Sequence, residues 1–365
     1  MATDNKNKVL NVPHLRFPEF SGEWERKRLK DVCNIRTGNK NTQDKSDNGI
    51  YPFYVRSQIV ERINSWTFDG EAILTAGDGV GVGKVFHYST GKIGVHQRVY
   101  ILSDFKCDGK YLYSYFAGNF YNRVKRMSAK NSVDSVRMEM IADMPIALPS
   151  IEEQKKIGHL LALLDDRIAT QNKIIEDLKK LKSVISKSIF SLIEDGKSML
   201  LGDVAHISNG CGDVQDADTI KREGWYPFFD RSEEQKWFPT YSIDKEAIIY
   251  AGEGQSFYPR YYKGKFALHQ RCYAITDFSE ILSPKYCYYF MGTLNSYFIR
   301  NAVGSTVPSL RIDMFQKVKL RIPSIKRQKD IVSMFDMLNM KCENETSIMV
   351  LFKEQKFHLL QQMFI

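Results

Sequence analysis

The stretch that decides the fold is residues 148–157, which read LPSIEEQKKI and open a long helix-like run. Apolar residues, interrupted by Gln171 and Lys182, recur at two positions of each heptad up to Leu192, as in a coiled-coil seam. A proline and a serine before such a run are a typical helix start. Residues 322–331 read IPSIKRQKDI and open a second run of this kind. The sequence therefore predicts two long helices with the same start, 174 residues apart.

The two runs predict an antiparallel pair of helices. A helix that projected alone would expose its apolar stripe to water, so we expect the second helix to return along the first. About 32 to 35 residues at about 1.5 Å each would make a spacer of about 50 Å. Pairing of the seams between two copies of the chain is the alternative. The seam residues expected to hold the pair or a partner helix are Leu164, Ile168, Ile175, Leu178 and Ile185, then Phe335, Leu338, Met349 and Phe352.

The segments that precede the two helices also repeat each other. The matched pairs are 29–32 with 201–204, 51–57 with 226–232, 72–77 with 247–252, 94–100 with 267–273, and 132–137 with 306–311. Apolar runs closed by a glycine predict strands, and His-Gln-Arg, identical in both halves at 96–98 and 269–271, is placed on one of them. An aromatic helix is expected from Lys110 to about Val124, and another from Lys285 to about Ile299.

The repeat predicts two domains of mixed α and β structure. A chain of 365 residues exceeds what one core usually serves. The expected fold class is α/β in the α+β sense, with two repeated globular domains separated by two long antiparallel coiled-coil helices. The expected boundaries are 1–24 for an N-terminal arm, 25–150 for the first domain, 151–196 for the first spacer helix, 197–324 for the second domain and 325–365 for the second spacer helix.

The composition indicates a soluble, basic protein. Hydrophobic residues make up 43% and charged residues 26% of the chain, so a large core can form. Lysine and arginine total 52 against 43 acidic residues, and the net charge of +9 favours a polyanionic partner. The six cysteines are scattered without a C-x-x-C pair. No signal peptide and no apolar run of about 18 residues occurs, which predicts a cytoplasmic protein outside the membrane.

Three patterns that could carry catalysis fail their motifs. The glycine-rich loop at 77–84 lacks residues that a P-loop or a Rossmann turn requires. His96 and His269 have no acidic or cysteine neighbour at catalytic or metal-binding spacing. Glu-x-Lys at 25–27 and 354–356 lacks the partner aspartate of a metal nuclease. The sequence therefore predicts a chain without a catalytic site, a metal site or a cofactor of its own.

Together these motifs resemble one family. The arm contains Pro13-x-Leu-Arg-Phe-Pro-x-Phe20 and Trp24, the domains open with Leu-x-Asp-Val, and the helices open with Pro-Ser-Ile-x-x-Gln. This combination, over essentially the whole chain, resembles the specificity subunit of type I restriction-modification systems. The resemblance implies two target-recognition domains that each read half of a bipartite, asymmetric sequence in double-stranded DNA. It further implies helices that set the gap and recruit two methyltransferase subunits, which support two restriction subunits. S-adenosylmethionine, ATP and Mg would belong to those partners.

The comparison of the two halves separates two kinds of candidate DNA contact. Residues shared by domains with different targets should build the fold or grip phosphate, whereas residues that differ should read bases. The shared candidates are Arg56, Arg98, Arg137, Arg231, Arg271 and Arg311. The differing loops are 36–48, 58–66, 78–88, 209–223, 233–241 and 253–263. Their candidates are Arg36, Lys40, Asn41, Gln58, Arg62, Lys84, Gln215, Gln235, Lys236, Gln255, Arg260 and Tyr261.

Two other functions stay open at this point. The chain could be a coiled-coil interaction scaffold without a DNA role, or a nuclease with tandem DNA-binding halves. The missing acidic cluster counts against a nuclease, and the paired domains with differing loops count against a scaffold. If the DNA reading holds, the half-sites should lie roughly one helical turn apart, about 34 to 36 Å.

Overall fold

The computed structural model describes residues 11–127, 135–304 and 306–365. The repeated segment at 132–137 begins outside this range. The described chain forms two compact units. The first contains the chain up to residue 172 together with 347–365, and the second contains residues 173–346. Each long helix contributes to both units, and the units are treated separately below.

The first unit is built from short strands and three helices ahead of the first long helix. Its strands are β1 (Glu25–Arg28), β2 (Asn34–Thr37), β3 (Tyr51–Tyr54), β4 (Glu61–Ile63), β5 (Phe68–Asp69), β6 (Ala72–Ala76), β7 (Phe86–Ser89), β8 (Lys92–Val95), β9 (Val99–Ser103) and β10 (Pro145–Leu148). Its helices are α1 (Leu29–Val32), α2 (Gly109–Met127), α3 (Met138–Ala142) and the start of α4 (Ile151–Leu192).

Two four-stranded sheets and a ribbon organise these strands. The strand orders are β2-β9-β6-β7 and β4-β3-β8-β5, and β1 pairs with β10. Only β3 and β8 are parallel among the paired strands of this unit. All five residues of β6 are buried, because its alternate side chains serve two cores. Ile73 faces the aromatic face of α2, and Leu74 packs with Tyr54 and Val95.

The second unit repeats this plan with fewer, longer strands. The strands are β11 (Lys197–Leu200), β12 (His206–Asn209), β13 (Tyr226–Phe229), β14 (Lys236–Phe238), β15 (Ile243–Ala251), β16 (Arg260–Leu268), β17 (Cys272–Thr276) and β18 (Lys319–Ile322). The helices are α5 (Leu201–Val204), α6 (Pro284–Met291), α7 (Asn295–Asn301), α8 (Ile312–Gln316) and α9 (Ile325–Met363). Strands β15 and β16 continue where the first unit breaks, and the six-stranded order is β12-β17-β15-β16-β13-β14.

The single aromatic helix expected in the second half is wrong. The helix ends at Met291 and a new one begins at Asn295, because Gly292 and Thr293 are weak helix formers. The side-chain oxygen of Asn295 accepts a hydrogen bond of 2.7 Å from the backbone N–H of Phe257. That bond fixes the second helix against the loop before β16. The aromatic rings of both helices are nevertheless core residues, with Tyr286 and Phe298 almost fully buried.

Both long helices begin at the predicted residues and are fixed by a glutamine. The amide of Gln154 donates to the carbonyl of Pro149 at 2.8 Å and accepts from the backbone N–H of Asp108 at 3.0 Å. Gln328 makes the same two bonds in the second unit, to Pro323 at 2.9 Å and from Ser283 at 2.8 Å. The repeated glutamine therefore ties each helix start to the domain before it.

The two long helices run antiparallel in each unit. In the first unit Lys356 of α9 pairs with Asp165 of α4, and the Arg167 guanidinium lies 5.8 Å from the Phe352 ring. In the second unit Lys182 bonds Asn339, and the rings of residues 190 and 335 stack at 6.0 Å. The predicted seam residues are all buried or half-buried; they are Leu164, Ile168, Ile175, Leu178, Ile185, Phe335, Leu338, Met349 and Phe352.

The first seam ends one turn early. Leu192, expected in it, is 74% exposed. Phe190 instead packs on Tyr286 at 5.5 Å, and the buried Ile193 follows the helix end. At its end the apolar face of the helix therefore contacts both the partner helix and the core of the second unit.

The arm and the last residues both pack on the first unit. Arg16 forms two hydrogen bonds, of 2.8 and 2.7 Å, with the buried carboxylate of Glu153 at the start of α4. The backbone N–H of Leu15 donates to the carbonyl of Gln362 at 2.9 Å. The Phe364 ring lies 5.2 Å from that of Tyr111 and is 7% exposed. The first core is thus completed by the last residues of the sequence.

Candidate nucleic-acid interface

The identical His-Gln-Arg tripeptides form tight turns, so their predicted position on a strand is wrong. In the first unit the turn joins β8 to β9, and the N–H of Val99 donates to the carbonyl of His96 at 2.9 Å. The imidazole Nδ1 of His96 accepts from the N–H of Arg98 at 3.0 Å. His269 and Arg271 repeat that bond at 3.2 Å between β16 and β17. The histidine therefore shapes a turn that presents an arginine.

The environment of His96 lowers the pKa of its imidazole, which favours the neutral ring. Burial is the main cause that lowers its pKa, and the positive charge of Arg56 adds to the effect, while Asp78 acts in the opposite direction. A neutral ring keeps Nδ1 free to accept the hydrogen bond from the turn. The histidine thus supports the turn and is not placed as a catalytic base.

Beside the turn, a carboxylate pairs with two shared arginines in the first unit and with one in the second. Asp78 accepts from Arg56 at 2.8 Å and lies 3.7 Å from Arg98. In the second unit Glu253 accepts from Arg271 at 2.8 Å. The side chains of Arg98 and Arg271 are each 66% exposed. Ion pairs this exposed contribute about 0 to 1 kcal/mol, so the guanidinium can transfer to a phosphate at little cost.

The third shared arginine lies next to this cluster. Strand-like bridges join Asp78 to Ser135 and Glu253 to Ser309. These bridges bring the segments with Arg137 and Arg311 alongside the loops after β6 and β15, and both arginines are exposed where short helices begin. In the first unit all three shared arginines therefore come from segments that meet at one edge of the domain, and in the second unit Arg271 and Arg311 do.

The first differing loop reaches the same edge in each unit. The carbonyl of Lys40 accepts from the N–H of Gln97 at 2.8 Å, and Asn41 follows directly. In the second unit the carbonyl of Gly212 accepts from Gln270 at 3.1 Å, and Gln215 lies exposed three residues on. Lys40, Asn41 and Gln215 are thus grouped with the shared arginines.

Several candidates have their polar groups occupied within their own domain. Arg62 donates to the carbonyls of residues 49 and 50 at 2.9 and 3.1 Å. Lys236 pairs at 2.7 Å with Asp230, whose carboxylate is buried. Arg260 donates to the carbonyl of residue 232 at 3.0 Å, and burial lowers its pKa. Tyr261 bonds the carboxylate of residue 246. These side chains hold loops and strands in place.

The positions of Arg260 and Tyr261 are structural in both halves. Both were expected in a loop, but they lie on β16, which begins at Arg260. This strand is longer than its counterparts in the first unit. His87 is the counterpart of Arg260, and its ring bonds the Ser57 carbonyl at 3.1 Å. Tyr88 is the counterpart of Tyr261 and bonds residue 71 in the same way.

The other candidates are spread around the two domains. Arg36 is exposed, with its guanidinium 4.9 Å from the Phe68 ring. The Lys84 amine lies 5.1 Å from the Tyr121 ring. Gln58 lines a cleft beside α2 and α4, away from the arginine cluster. The remaining candidates are exposed; they are Arg231, Gln235 and Gln255.

One exposed residue at this edge was not predicted. Val80 is 101% exposed at the apex of the glycine-rich loop, beside Asp78. An apolar residue between two glycines, in a loop that fails every nucleotide motif, was the signal available in the sequence. Among the described residues, no cluster of three metal-ligating side chains occurs. None of the described helices combines the length and the apolarity needed to span a bilayer.

Known proteins share this sequence pattern. Residues 21–180 and 193–349 match the family described as "Type I restriction modification DNA specificity domain". The EcoDI specificity subunit of Escherichia coli is 29% identical over 167 residues, which are 45% of this chain and 37% of that protein. A putative type I specificity subunit of Mycoplasma pneumoniae is 25% identical over 341 residues, 85% of this chain and 88% of that protein. The chain thus matches only about two fifths of the length of the EcoDI and MjaVIII subunits.

Solved structures share the fold. The type I S subunit from M. genitalium superposes with a TM-score of 0.67, at 14% identity, over 97% of this chain and 99% of that one. A structure from work on assembly and conformational transition of the type I R-M system gives 0.57 at 13% identity, over 93% and 97%. At these identities the likeness concerns the fold alone. Because the two family matches together cover most of the sequence, the chain belongs to the type I restriction modification DNA specificity domain family.

Proposed function

We propose that this chain is the sequence-specific DNA-recognition subunit of a type I restriction-modification complex. The observation that carries the proposal is the shared arginine and carboxylate cluster, which both domains place beside loops of different sequence. A cluster common to two domains suits the phosphate backbone, which is the same in every sequence. The differing loops suit base edges, which change with the DNA sequence.

Each domain then reads one part of a bipartite, asymmetric target in double-stranded DNA. The long helices set the gap between the parts and dock two methyltransferase subunits. Exposed apolar residues on α4 and α9 support docking, since surface apolar groups of this kind mark interaction sites. Five of them are Leu163, Leu181, Met337, Met340 and Leu351, between 47% and 67% exposed.

Catalysis belongs to the partners in this proposal. The methyltransferase subunits bring S-adenosylmethionine for adenine methylation, and two restriction subunits bring ATP and Mg for cleavage. This chain contributes no catalytic residue and no cofactor. Its role is to place those subunits on a chosen DNA sequence.

Adenine-methylation mapping tests the proposal. The chain is co-expressed with a methyltransferase of the same system, and host DNA is mapped with and without it. We expect methylation at a two-part motif with a fixed unspecified gap. Exchange of residues 29–147 for the matching segment of a relative should change one part only. If no methylated motif depends on the chain, the proposal is wrong.

The role of the helices has its own test. Insertion of one or two helical turns into both α4 and α9 should lengthen the unspecified gap, while both recognised parts stay the same. An unchanged gap in an active complex would show that the helices do not set it.

A further inference from the structure

The loop that follows β6 presents one side chain away from the protein. Val80 stands between Gly79 and Gly81, and its side chain is fully exposed. Single exposed apolar residues are common on protein surfaces, so the exposure of Val80 gains meaning only from its surroundings. Because Val80 lies next to the arginine cluster, its side chain is available to contact DNA that those arginines hold.

The loop is anchored on both sides of this apex. Before it, the carbonyl of Gly77 accepts from the N–H of Val136 at 2.7 Å. After it, the N–H of Val85 donates to the carbonyl of Gly81 at 2.9 Å, and Val82 and Val85 are buried. A methyl group at residue 81 would meet the Arg56 carbonyl oxygen at 2.6 Å, so only glycine fits there. The backbone thus holds Val80 in a defined place.

The arginine cluster adjoins this apex. A Cβ at Gly79 would lie 3.9 Å from the guanidinium of Arg56, which in turn bonds Asp78 at 2.8 Å. A phosphate held by Arg56 or Arg98 would therefore place Val80 close to the bases beside that phosphate. The loop apex is thus positioned to contact a base while the neighbouring arginines contact the DNA phosphate.

The second unit has a different side chain at the matching position of its loop. Gly252, Glu253 and Gly254 occupy the places of residues 77–79, so Gln255 stands in the place of Val80. The carbonyl of Gly252 accepts from Leu310 at 2.7 Å, as Gly77 does in the first unit, and Gly254 donates to Pro308 at 3.1 Å. Within the described residues, the exposed amide of Gln255 has no hydrogen-bond partner.

The chemistry of the two apex residues matches two different bases. In the major groove only thymine presents a methyl group, and a glutamine amide fits the N6 and N7 atoms of adenine. We propose that the apex residue is a base reader in each domain: Val80 packs on a thymine methyl group, and Gln255 bonds an adenine. This proposal rests on the proposed function, and it names a specificity-determining position within it.

Base analogues test the proposal on the complete complex. The complex of this chain with its methyltransferase is bound to duplexes of the mapped motif. Deoxyuridine, which lacks the methyl group, replaces each thymine in turn, and 7-deazaadenine, which lacks N7, replaces each adenine. For the wild type we expect a loss of about fourfold in affinity at one thymine of the part read by the first domain. At one adenine of the other part we expect a loss of about 5-fold to 150-fold.

Variants assign these losses to residues. In Val80→Ser the deoxyuridine loss should disappear, while the 7-deazaadenine loss stays. In Gln255→Ala the reverse should hold. Ile50→Ser, which changes another exposed apolar residue of the first domain but lies outside the differing loops, should keep both losses. Unchanged unfolding temperatures show that the variants are folded, as expected for exposed side chains.

Two failures are distinguishable. If the motif depends on the chain but both analogue losses persist in the apex variants, the base-reader assignment is wrong and the proposed function stands. The assignment is equally wrong if deoxyuridine has no effect at any thymine. That result is expected if Val80 inserts between base pairs and does not contact a thymine methyl group. If no motif depends on the chain, the proposed function itself is wrong.

Discussion

Replacing Phe364 by alanine should destabilise the first unit, although the residue stands 253 positions after the ring it packs on. Its side chain is 7% exposed, and its ring lies 5.2 Å from Tyr111 and 5.5 Å from Tyr115. Truncation of a buried phenylalanine costs about 3 to 5 kcal/mol. The residue follows the end of α9, where the chain can fray, so we expect the low end, about 3 kcal/mol. For a unit of this size the midpoint of thermal unfolding should fall by about 6 to 12 °C.

Urea unfolding combined with hydrogen exchange measures this effect unit by unit. Amides of the first unit should lose protection in Phe364→Ala, and those of residues 173–346 should not. Phe357→Ala is the matched control, because that side chain lies on the same helix and is 62% exposed. Phe190→Ala should have the opposite pattern, since it packs on Tyr286 in the second unit. A cost below about 1 kcal/mol, or an equal loss in both units, would refute the packing argument.

Further substitutions test three other sets of contacts. Binding titrations over a range of salt concentrations test the phosphate contacts of Arg98 and Arg271. In Arg98→Ala and in Arg271→Ala, the slope of log affinity against log salt concentration should become shallower by about 0.9 for every DNA sequence. An unchanged slope would rule out a phosphate contact. Gln154→Leu and Gln328→Leu each leave a backbone N–H and a carbonyl without their hydrogen-bond partner, which should reduce stability by about 1 to 3 kcal/mol per buried group. Hydrogen exchange should show reduced protection in the unit that contains the variant. Because burial lowers the pKa of His96, the unfolded chain binds a proton before the folded chain as the pH falls through 6.5. The first unit should therefore lose stability between pH 7 and pH 5 in urea unfolding, and His96→Gln should make that dependence shallower.

The large elements of the fold could be predicted because their signals are local. A heptad seam and a proline-serine start need only neighbouring residues, so α4 and α9 begin at the expected positions. The repeat strengthened these predictions, because the two halves independently predict the same order of elements. The glutamine of the helix start was visible in both motifs, but its bonds to Asp108 and Ser283 join residues far apart in sequence.

The errors arose where tertiary contacts decide. His-Gln-Arg alternates like a strand, but the hydrogen bond from the N–H of Arg98 to His96 closes a turn instead. The expected helix after Lys285 is interrupted at Gly292 and Thr293, and the bond between Asn295 and the distant Phe257 then fixes the second helix. Val80 was not among the predicted base contacts, because those were side chains that can form hydrogen bonds. Its exposure depends on the tertiary structure.

The composition of the first unit has a consequence for how the chain matures on the ribosome. Residues 173–346 form the second unit, so the segments of the first unit lie on both sides of it in the sequence. The first unit needs residues 347–365, with Phe364 among them, and must wait for them. Domains usually fold in the order of their synthesis. Here the half that is made first lacks part of its core until residues 347–365 have left the ribosome, and until then the surface around Tyr111 is not covered by Phe364.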